Sequence, residues 1–177
     1  MLAIIIGHTQ DAPGACNASS GVCEYAFNQP IAYQLAERLR GKLETTIVYR
    51  GRPNDYANLP AKVNRTGAHL ALSLHANAFN TRASGTEMLY WHRSRVGKPF
   101  AEALQRRVLS ALHLPDRGAK PVSSRRNRGG PLLYYTHMPC VIAEPFFIDN
   151  DSDFEVAQAR LDRLVLAYAD AVLEVLT

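Results

Sequence analysis

Leu2-Ala3-Ile4-Ile5-Ile6-Gly7-His8 is a short apolar run closed by a glycine and a histidine, and the chain uses the same device twice more. Leu70-Ala71-Leu72-Ser73-Leu74 leads into His75, and Cys140-Val141-Ile142-Ala143 leads into Glu144. Continuous apolar runs of this length read as strands covered on both faces, the habit of parallel sheets. Between them the apolar residues switch to helical spacing. Ile31, Leu35 and Leu39 recur every fourth residue, with Ala32, Ala36 and Leu43 beside them. Phe100, Leu104, Val108 and Leu112 mark a helix over 98–112, and Leu161, Leu164, Val165, Tyr168, Ala169, Val172 and Leu176 give one long amphipathic helix over 153–176. Strands alternating with helices predict an α/β fold, with a twisted, mostly parallel or mixed sheet of about six strands and helices on both faces.

The remaining elements fit the same scheme. Residues 45–50 and 86–91 read as strands, 59–66 as a short helix stopped by Gly67, and 132–135 and 141–147 as two further strands. The first helix is expected to begin near Pro30 with Asn28 or Gln29 as its cap, which leaves Glu24 just ahead of it or in a distorted first turn. No repeat, low-complexity linker or second periodic block interrupts the 177 residues, so 1–177 is read as one catalytic domain.

Composition narrows the class. The chain is 47% hydrophobic and 20% charged, which sets aside disordered and fibrous proteins. No apolar run approaches the roughly 20 residues that cross a bilayer, so no transmembrane segment is expected. The N-terminus lacks a basic region and its apolar run is short for a signal peptide, so synthesis in the cytoplasm without a Sec signal is expected. A net charge of +4 favours an anionic partner such as a bacterial envelope. The one basic cluster, Ser124-Arg125-Arg126-Asn127-Arg128-Gly129-Gly130, reads as a solvated loop, and nothing in it signals nucleic-acid binding. Three cysteines, an odd number, point to free thiols. A disulfide between Cys16 and Cys23 stays open for an oxidising compartment, and Cys140 is expected to be buried on its strand. No heptad pattern or exposed apolar stripe forces an assembly, so a monomer is expected.

The polar residues at the ends of these strands carry the chemistry. His8, Glu24 and His75 offer two imidazoles and a carboxylate, a zinc ligand set that leaves a fourth position open. Each has a plain reading when taken alone: a turn histidine, an acid favoured by the helix dipole, and a buried histidine bonded to the backbone. Glu144 is harder to explain that way. A carboxylate between Ala143 and Pro145-Phe146-Phe147 sits in apolar surroundings that raise its pKa, which suits general acid/base work. Glu87, on an alternating strand just after the His75 loop, either supports the site or faces substrate, or is simply solvent-exposed, the plainer of the two readings. His69, His92, His113 and His137 lack partners at ligand spacing, although His137 lies close enough to Glu144 in sequence to line a cleft.

Taken in order, these residues resemble the zinc-dependent N-acetylmuramoyl-L-alanine amidases often called amidase-3. Gly7-His8, Glu24 with Asn28 four residues on, Ser73-Leu74-His75-Ala76-Asn77, Gly85-Thr86-Glu87 and Glu144-Pro145-Phe146-Phe147-Ile148-Asp149-Asn150 match the family's successive signatures. The resemblance implies one zinc ion on His8, Glu24 and His75, with Glu144 as the catalytic acid/base. It also implies peptidoglycan as partner and the bond between N-acetylmuramic acid and L-alanine as the target. Asn77 is expected to contact substrate or orient His75. The chain departs from the family at Thr9-Gln10, where glycines are usual, at Lys62, where an arginine is common, and at Pro145-Phe146. These changes point to a divergent branch such as a phage endolysin, which would act on the wall after release; a truncated sequence would fit an exported enzyme instead.

Two other classes compete with this reading. A zinc carboxypeptidase-like enzyme acting on cell-wall peptides would use Arg125, Arg126 or Arg128 to clamp a terminal carboxylate. A non-catalytic wall-binding module has no use for Glu144.

Overall fold

The strand-forming runs assemble into one six-stranded sheet in the computed structural model, which describes residues 1–52 and 55–176. In chain order the elements are β1 (Leu2–Ile6), α1 (Glu24–Leu39), β2 (Thr45–Tyr49), a 3-10 turn (Asp55–Asn58), α2 (Leu59–Arg65), β3 (Leu70–Leu74) and β4 (Thr86–Trp91). Then follow α3 (Gly97–Leu112), β5 (Asp116–Val122), α4 (Gly130–Tyr135), β6 (Cys140–Glu144), α5 (Asp151–Ala159) and α6 (Leu161–Leu176). The strand order is β2-β1-β3-β6-β4-β5. The first four strands run parallel to their neighbours, while β4 lies antiparallel to β6 and parallel to β5. The sheet is therefore mixed, as expected, parallel from the edge strand β2 through β6 and reversing between β6 and β4.

Period-two alternation divides the core. Leu2, Ile4 and Ile6 face α1, α3, α5 and α6 on one side, together with Leu70, Leu72, Leu74, Val141 and Ala143. Ala3 and Ile5 face α2 and α4 on the other, with Ala71, Cys140 and Ile142. Both faces are dry, which is why these runs carry no alternating polar residues.

Four expectations need correction. Residues 132–135 form part of helix α4 rather than a strand. Gly129, in the left-handed conformation, caps the turn, Pro131 suits its start, and consecutive Leu132 and Leu133 are both buried while Tyr134 and Tyr135 face out, a helical pattern. The sixth strand is instead β5, Asp-Arg-Gly-Ala-Lys-Pro-Val, exposed or half-buried except at Val122, at the sheet edge where a proline is tolerated. The C-terminal helix breaks at Arg160, whose guanidinium donates to the Leu112 carbonyl at 2.7 Å. Finally, α1 begins at Glu24, so Pro30 lies inside it. Its early N–H groups are taken by loop carbonyls, Glu24 N by Ala15 O and Tyr25 N by Pro13 O, each at 2.9 Å, so the start needs no proline.

The cysteines also differ from the first expectation: Cys16 and Cys23 are disulfide-bonded, bracing the loop that leads into α1. Cys140 is buried and free as expected, and burial pushes its thiol up to about 12. Among the described residues no helix is long and apolar enough to cross a membrane.

A buried carboxylate ties the end of β6 to the start of β4. Asp153 accepts from Ser84 Oγ at 2.5 Å, Gly85 N at 3.0 Å and Phe147 N at 3.1 Å. Asp153→Ala leaves two buried backbone donors unsatisfied and should cost about 3 kcal/mol of stability by chemical denaturation. A loss below about 1 kcal/mol would show that the loops hold without it.

Candidate active site

Parallel register brings the chemistry together. Ile6 pairs with Leu74, and Leu74 with Ala143, so β1, β3 and β6 end at one edge of the sheet. His8, His75 and Glu144 sit at those three ends, the place where open α/β sheets gather their ligands. Glu24 reaches the same point from the first turn of α1. The strand ends are packed too closely for ordinary side chains: a Cβ on Gly7 would lie 2.5 Å from both the His75 ring and the Leu74 carbonyl oxygen. Gly14 is constrained twice, by a φ of +84° and by His8 and Glu24 within 3 Å of where its Cβ would stand. His8 itself has a φ of 67°, an uncommon backbone state for a histidine that aims its ring back at Glu24.

The three side chains form one cluster. His8 Nε2 lies 3.3 Å from Glu24 Oε1, and His75 Nδ1 lies 3.3 Å from Glu24 Oε2. One donor atom from each residue can be chosen so that all three lie within 4.8 Å of one another, close enough to hold a metal ion. Backbone N–H groups of Ala15 (3.0 Å) and Ala76 (3.1 Å) also donate to the Glu24 carboxylate. Burial alone would raise the Glu24 pKa, but the hydrogen bonds and charge of His75 and His8 outweigh it and hold the carboxyl well below its usual range. Burial likewise holds His75 below the ordinary imidazole range, against the pull of Glu24. An ionised glutamate and a neutral histidine are the forms that bind metals.

Glu144 is held differently. It is 1% exposed, and burial pushes its carboxyl up to about 8, with the Arg128 charge opposing and the Glu24 and Glu87 charges reinforcing. Arg128 donates to Glu144 Oε1 at 2.6 Å, yet its side chain is 54% exposed, so water screens the charge that would otherwise keep the carboxyl ionised. Glu144 Oε2 is buried with no hydrogen-bond partner. Both glutamates, both histidines, Arg125, Arg126 and Arg128 line one cleft of about 700 Å³. A larger hollow of about 1120 Å³, between α1 and α6, has none of these groups.

Three residues stand elsewhere than the sequence indicated. Arg128, from the loop read as merely solvated, is a partner of Glu144. Glu87 is buried rather than solvent-facing: it accepts from Asn77 Nδ2 (2.8 Å), Arg117 Nε (2.8 Å) and Lys120 Nζ (2.6 Å). Asn77 does not line the cleft; its Oδ1 accepts from Arg128 at 2.7 Å, so it orients that arginine. Glu87 stands opposite Glu144 in the β4–β6 register, a pairing that the sequence does not reveal. His137 is exposed and outside the cleft.

The sheet and site define an α/β domain with a His-Glu-His cluster and a separate buried carboxylate in one cleft. The chain belongs to the N-acetylmuramoyl-L-alanine amidase family, whose model matches residues 2–174. LytC of Bacillus subtilis (strain 168), an N-acetylmuramoyl-L-alanine amidase, is 29% identical over 153 residues, covering 83% of this chain but only 29% of LytC. In fold, the chain is similar to an N-acetylmuramoyl-L-alanine amidase from Clostridium difficile 630, with a TM-score of 0.83 and 23% identity over 99% of this chain and 96% of that one. It is also similar to the catalytic domain of the CD27L endolysin, which targets Clostridia difficile, with a TM-score of 0.81 and 25% identity over 98% and 96% of the two chains.

The raised Glu144 pKa has a measurable sign. The folded carboxyl keeps its proton to about pH 8, whereas an unfolded one gives it up near 4.5, so this group's contribution to stability fades as pH rises between those values. Glu24, whose pKa is lowered, acts the opposite way and at lower pH. Denaturation of metal-free protein across this window should show wild type losing stability toward high pH and Glu144→Gln losing less. Parallel curves would place the Glu144 pKa near its ordinary value.

Proposed function

We propose that this chain hydrolyses the amide between the lactyl group of N-acetylmuramic acid and L-alanine of the peptidoglycan stem, using one zinc ion held by His8, Glu24 and His75. The observation that carries this reading is the meeting, in one cleft, of a three-donor cluster and a separate buried carboxylate. The donors fit the ion. Two imidazoles and a carboxylate suit zinc, and the two 3.3 Å separations match the edge of a tetrahedron with bonds of about 2.0–2.1 Å. Bound there, zinc would polarise the scissile carbonyl and lower the pKa of a water to about 7.

The chain's own residues move the protons. Glu144 presents Oε2 while Arg128 holds Oε1, so in its ionised form the free oxygen accepts a proton from the attacking water and returns it to the leaving amide nitrogen. Burial keeps the proton affinity of Glu144 high enough for that exchange near neutral pH. Asn77 fixes Arg128, and Arg128 fixes the carboxylate plane. We further propose that residues 1–177 act as one catalytic unit at the cell wall, in the manner of a lytic enzyme released onto it; likeness to an endolysin catalytic domain supports that setting. The arginines lining the cleft favour, as second reading, a peptidase that clamps a terminal carboxylate.

Digestion of purified peptidoglycan, followed by mass spectrometry, separates these. Wild type should release intact stem peptides beginning with L-alanine, chelator should stop release and zinc restore it, and Glu144→Ala should slow it about a thousandfold. Shortened peptides would favour the peptidase, and no release by zinc-loaded protein would remove the amidase reading. His75→Ala should retain less zinc by elemental analysis; equal retention would place the ion elsewhere.

A further inference from the structure

The cleft is lined by more positive charge than proton transfer and metal binding use. Four guanidiniums, of Arg50, Arg125, Arg126 and Arg128, stand in it against the two carboxylates of Glu24 and Glu144, a surplus of two positive charges even with both carboxylates ionised. Three of the four are engaged. Arg50 lies over the Tyr56 ring at 5.0 Å, Arg125 donates to Tyr135 Oη at 2.9 Å, and Arg128 donates to Asn77 and Glu144. Among the described residues the Arg126 guanidinium has no hydrogen bond or ion pair. The backbone that presents it is nonetheless fixed. Arg126 N donates to Ser124 Oγ at 3.2 Å, Asn127 N to Ser124 O at 3.1 Å and Gly130 N to Asn127 O at 2.9 Å. A Cβ on Gly130 would lie 2.3 Å from the Ser124 carbonyl oxygen, so the loop closes this tightly only with glycine there.

We propose that Arg126 is a specificity residue that pairs with a free carboxylate on the second residue of the stem peptide, so that stems carrying this acid are preferred over stems carrying the carboxamide. This assignment deepens the amidase reading and rests on it. A guanidinium presents two parallel N–H donors in one plane, which match the two oxygens of a carboxylate; a carboxamide offers one acceptor oxygen and no charge. The spacing agrees. The α-carboxylate of the second residue stands two residues from the scissile nitrogen, roughly 7 Å along an extended chain. Arg126 likewise stands two residues from Arg128, whose guanidinium is on Glu144, the group that returns the proton to that nitrogen. An ion pair on an exposed loop is worth little in water, but a peptide lying in the cleft covers the guanidinium and dries the pair. The surplus charge also draws an anionic peptide toward the cleft. A terminal carboxylate, which a peptidase would clamp, is the competing occupant, and it differs in standing at the end of the peptide rather than beside the scissile amide.

Two N-acetylmuramoyl tripeptides of L-alanine, γ-linked D-glutamate and L-lysine, differing only in whether the glutamate α-carboxyl is free or a carboxamide, test this. Zinc-loaded wild type, Arg126→Ala and Arg126→Lys would be compared for release of the tripeptide, and by calorimetry for binding of the free tripeptide in its acid and carboxamide forms. Wild type should favour the acid about tenfold in kcat/KM, with the difference in KM. Arg126→Ala should bring the acid down to the level of the carboxamide, and Arg126→Lys should recover part of the preference, because an ammonium keeps the charge and loses the fork. Equal KM for the two substrates in wild type, a preference that survives Arg126→Ala, or a loss on both substrates alike would overturn the assignment. Suppose neither substrate releases tripeptide, while calorimetry still shows an acid preference that Arg126→Ala removes: the carboxylate site then stands and the amidase reading falls. Equal calorimetric affinities for acid and carboxamide would remove the site whatever the turnover, so the two fail separately.

Discussion

The buried carboxylate of Glu24 makes four attachments: to Ala15 N and His8 Nε2 through one oxygen, and to Ala76 N and His75 Nδ1 through the other. A lone buried carboxylate costs several kcal/mol, so a structure that keeps one must surround it with donors. Meeting that demand joins the loop after β1, the start of α1 and the end of β3. Much of the local sequence follows from it. The loop must fold back far enough for Ala15 to donate, which the Cys16–Cys23 disulfide secures. His8 must take a left-handed backbone to face inward, and Gly7 and Gly14 must lack side chains where the rings pass. The same convergence that satisfies one carboxylate creates the cluster able to hold a metal.

The site keeps two glutamates in opposite states, and environment alone divides them. Glu24 is ringed by donors and stays ionised; Glu144 faces apolar strand neighbours, has one oxygen unpartnered and holds its proton up to about 8. In the proposed reaction, carboxylates whose surroundings push their pKa values apart would divide the roles, one to bind and one to transfer protons. Neither role follows from residue type. Both follow from which strand end or helix turn carries the residue and what the neighbouring loops offer it.

The parallel part of the fold was legible because a doubly covered strand is largely apolar, as Leu2–Ile6, Leu70–Leu74 apart from Ser73, and Cys140 to Ala143 are. The residues at their ends could be picked out for the same reason, as polar groups abruptly following apolar runs. The edge was not legible. Strand β5 packs little, so Asp116–Val122 carries no periodic signal, and its glycine and proline argue for a loop. Helix α4 reads as a strand because Leu132-Leu133-Tyr134-Tyr135 is apolar and aromatic; the glycines that start it and the core face it covers decide otherwise. The role of Arg128 was hidden by its exposure, since a loop of arginines has the same composition whether or not one of them reaches a buried acid.

That illegible edge nonetheless governs the legible site. Arg117 and Lys120, on β5, pair with Glu87 and hold its carboxyl below the usual range against the effect of burial. Glu87, neutralised on that side, accepts from the Asn77 amide, which turns the Asn77 carbonyl oxygen toward Arg128, and Arg128 reaches Glu144. Charges alternate along this path, so each group is fixed by the one before it. A marginal edge strand is thus linked through Glu87 and Asn77 to the arginine that meets Glu144, and the exposure of Arg128 lets water weaken its charge enough for the Glu144 carboxyl to stay raised.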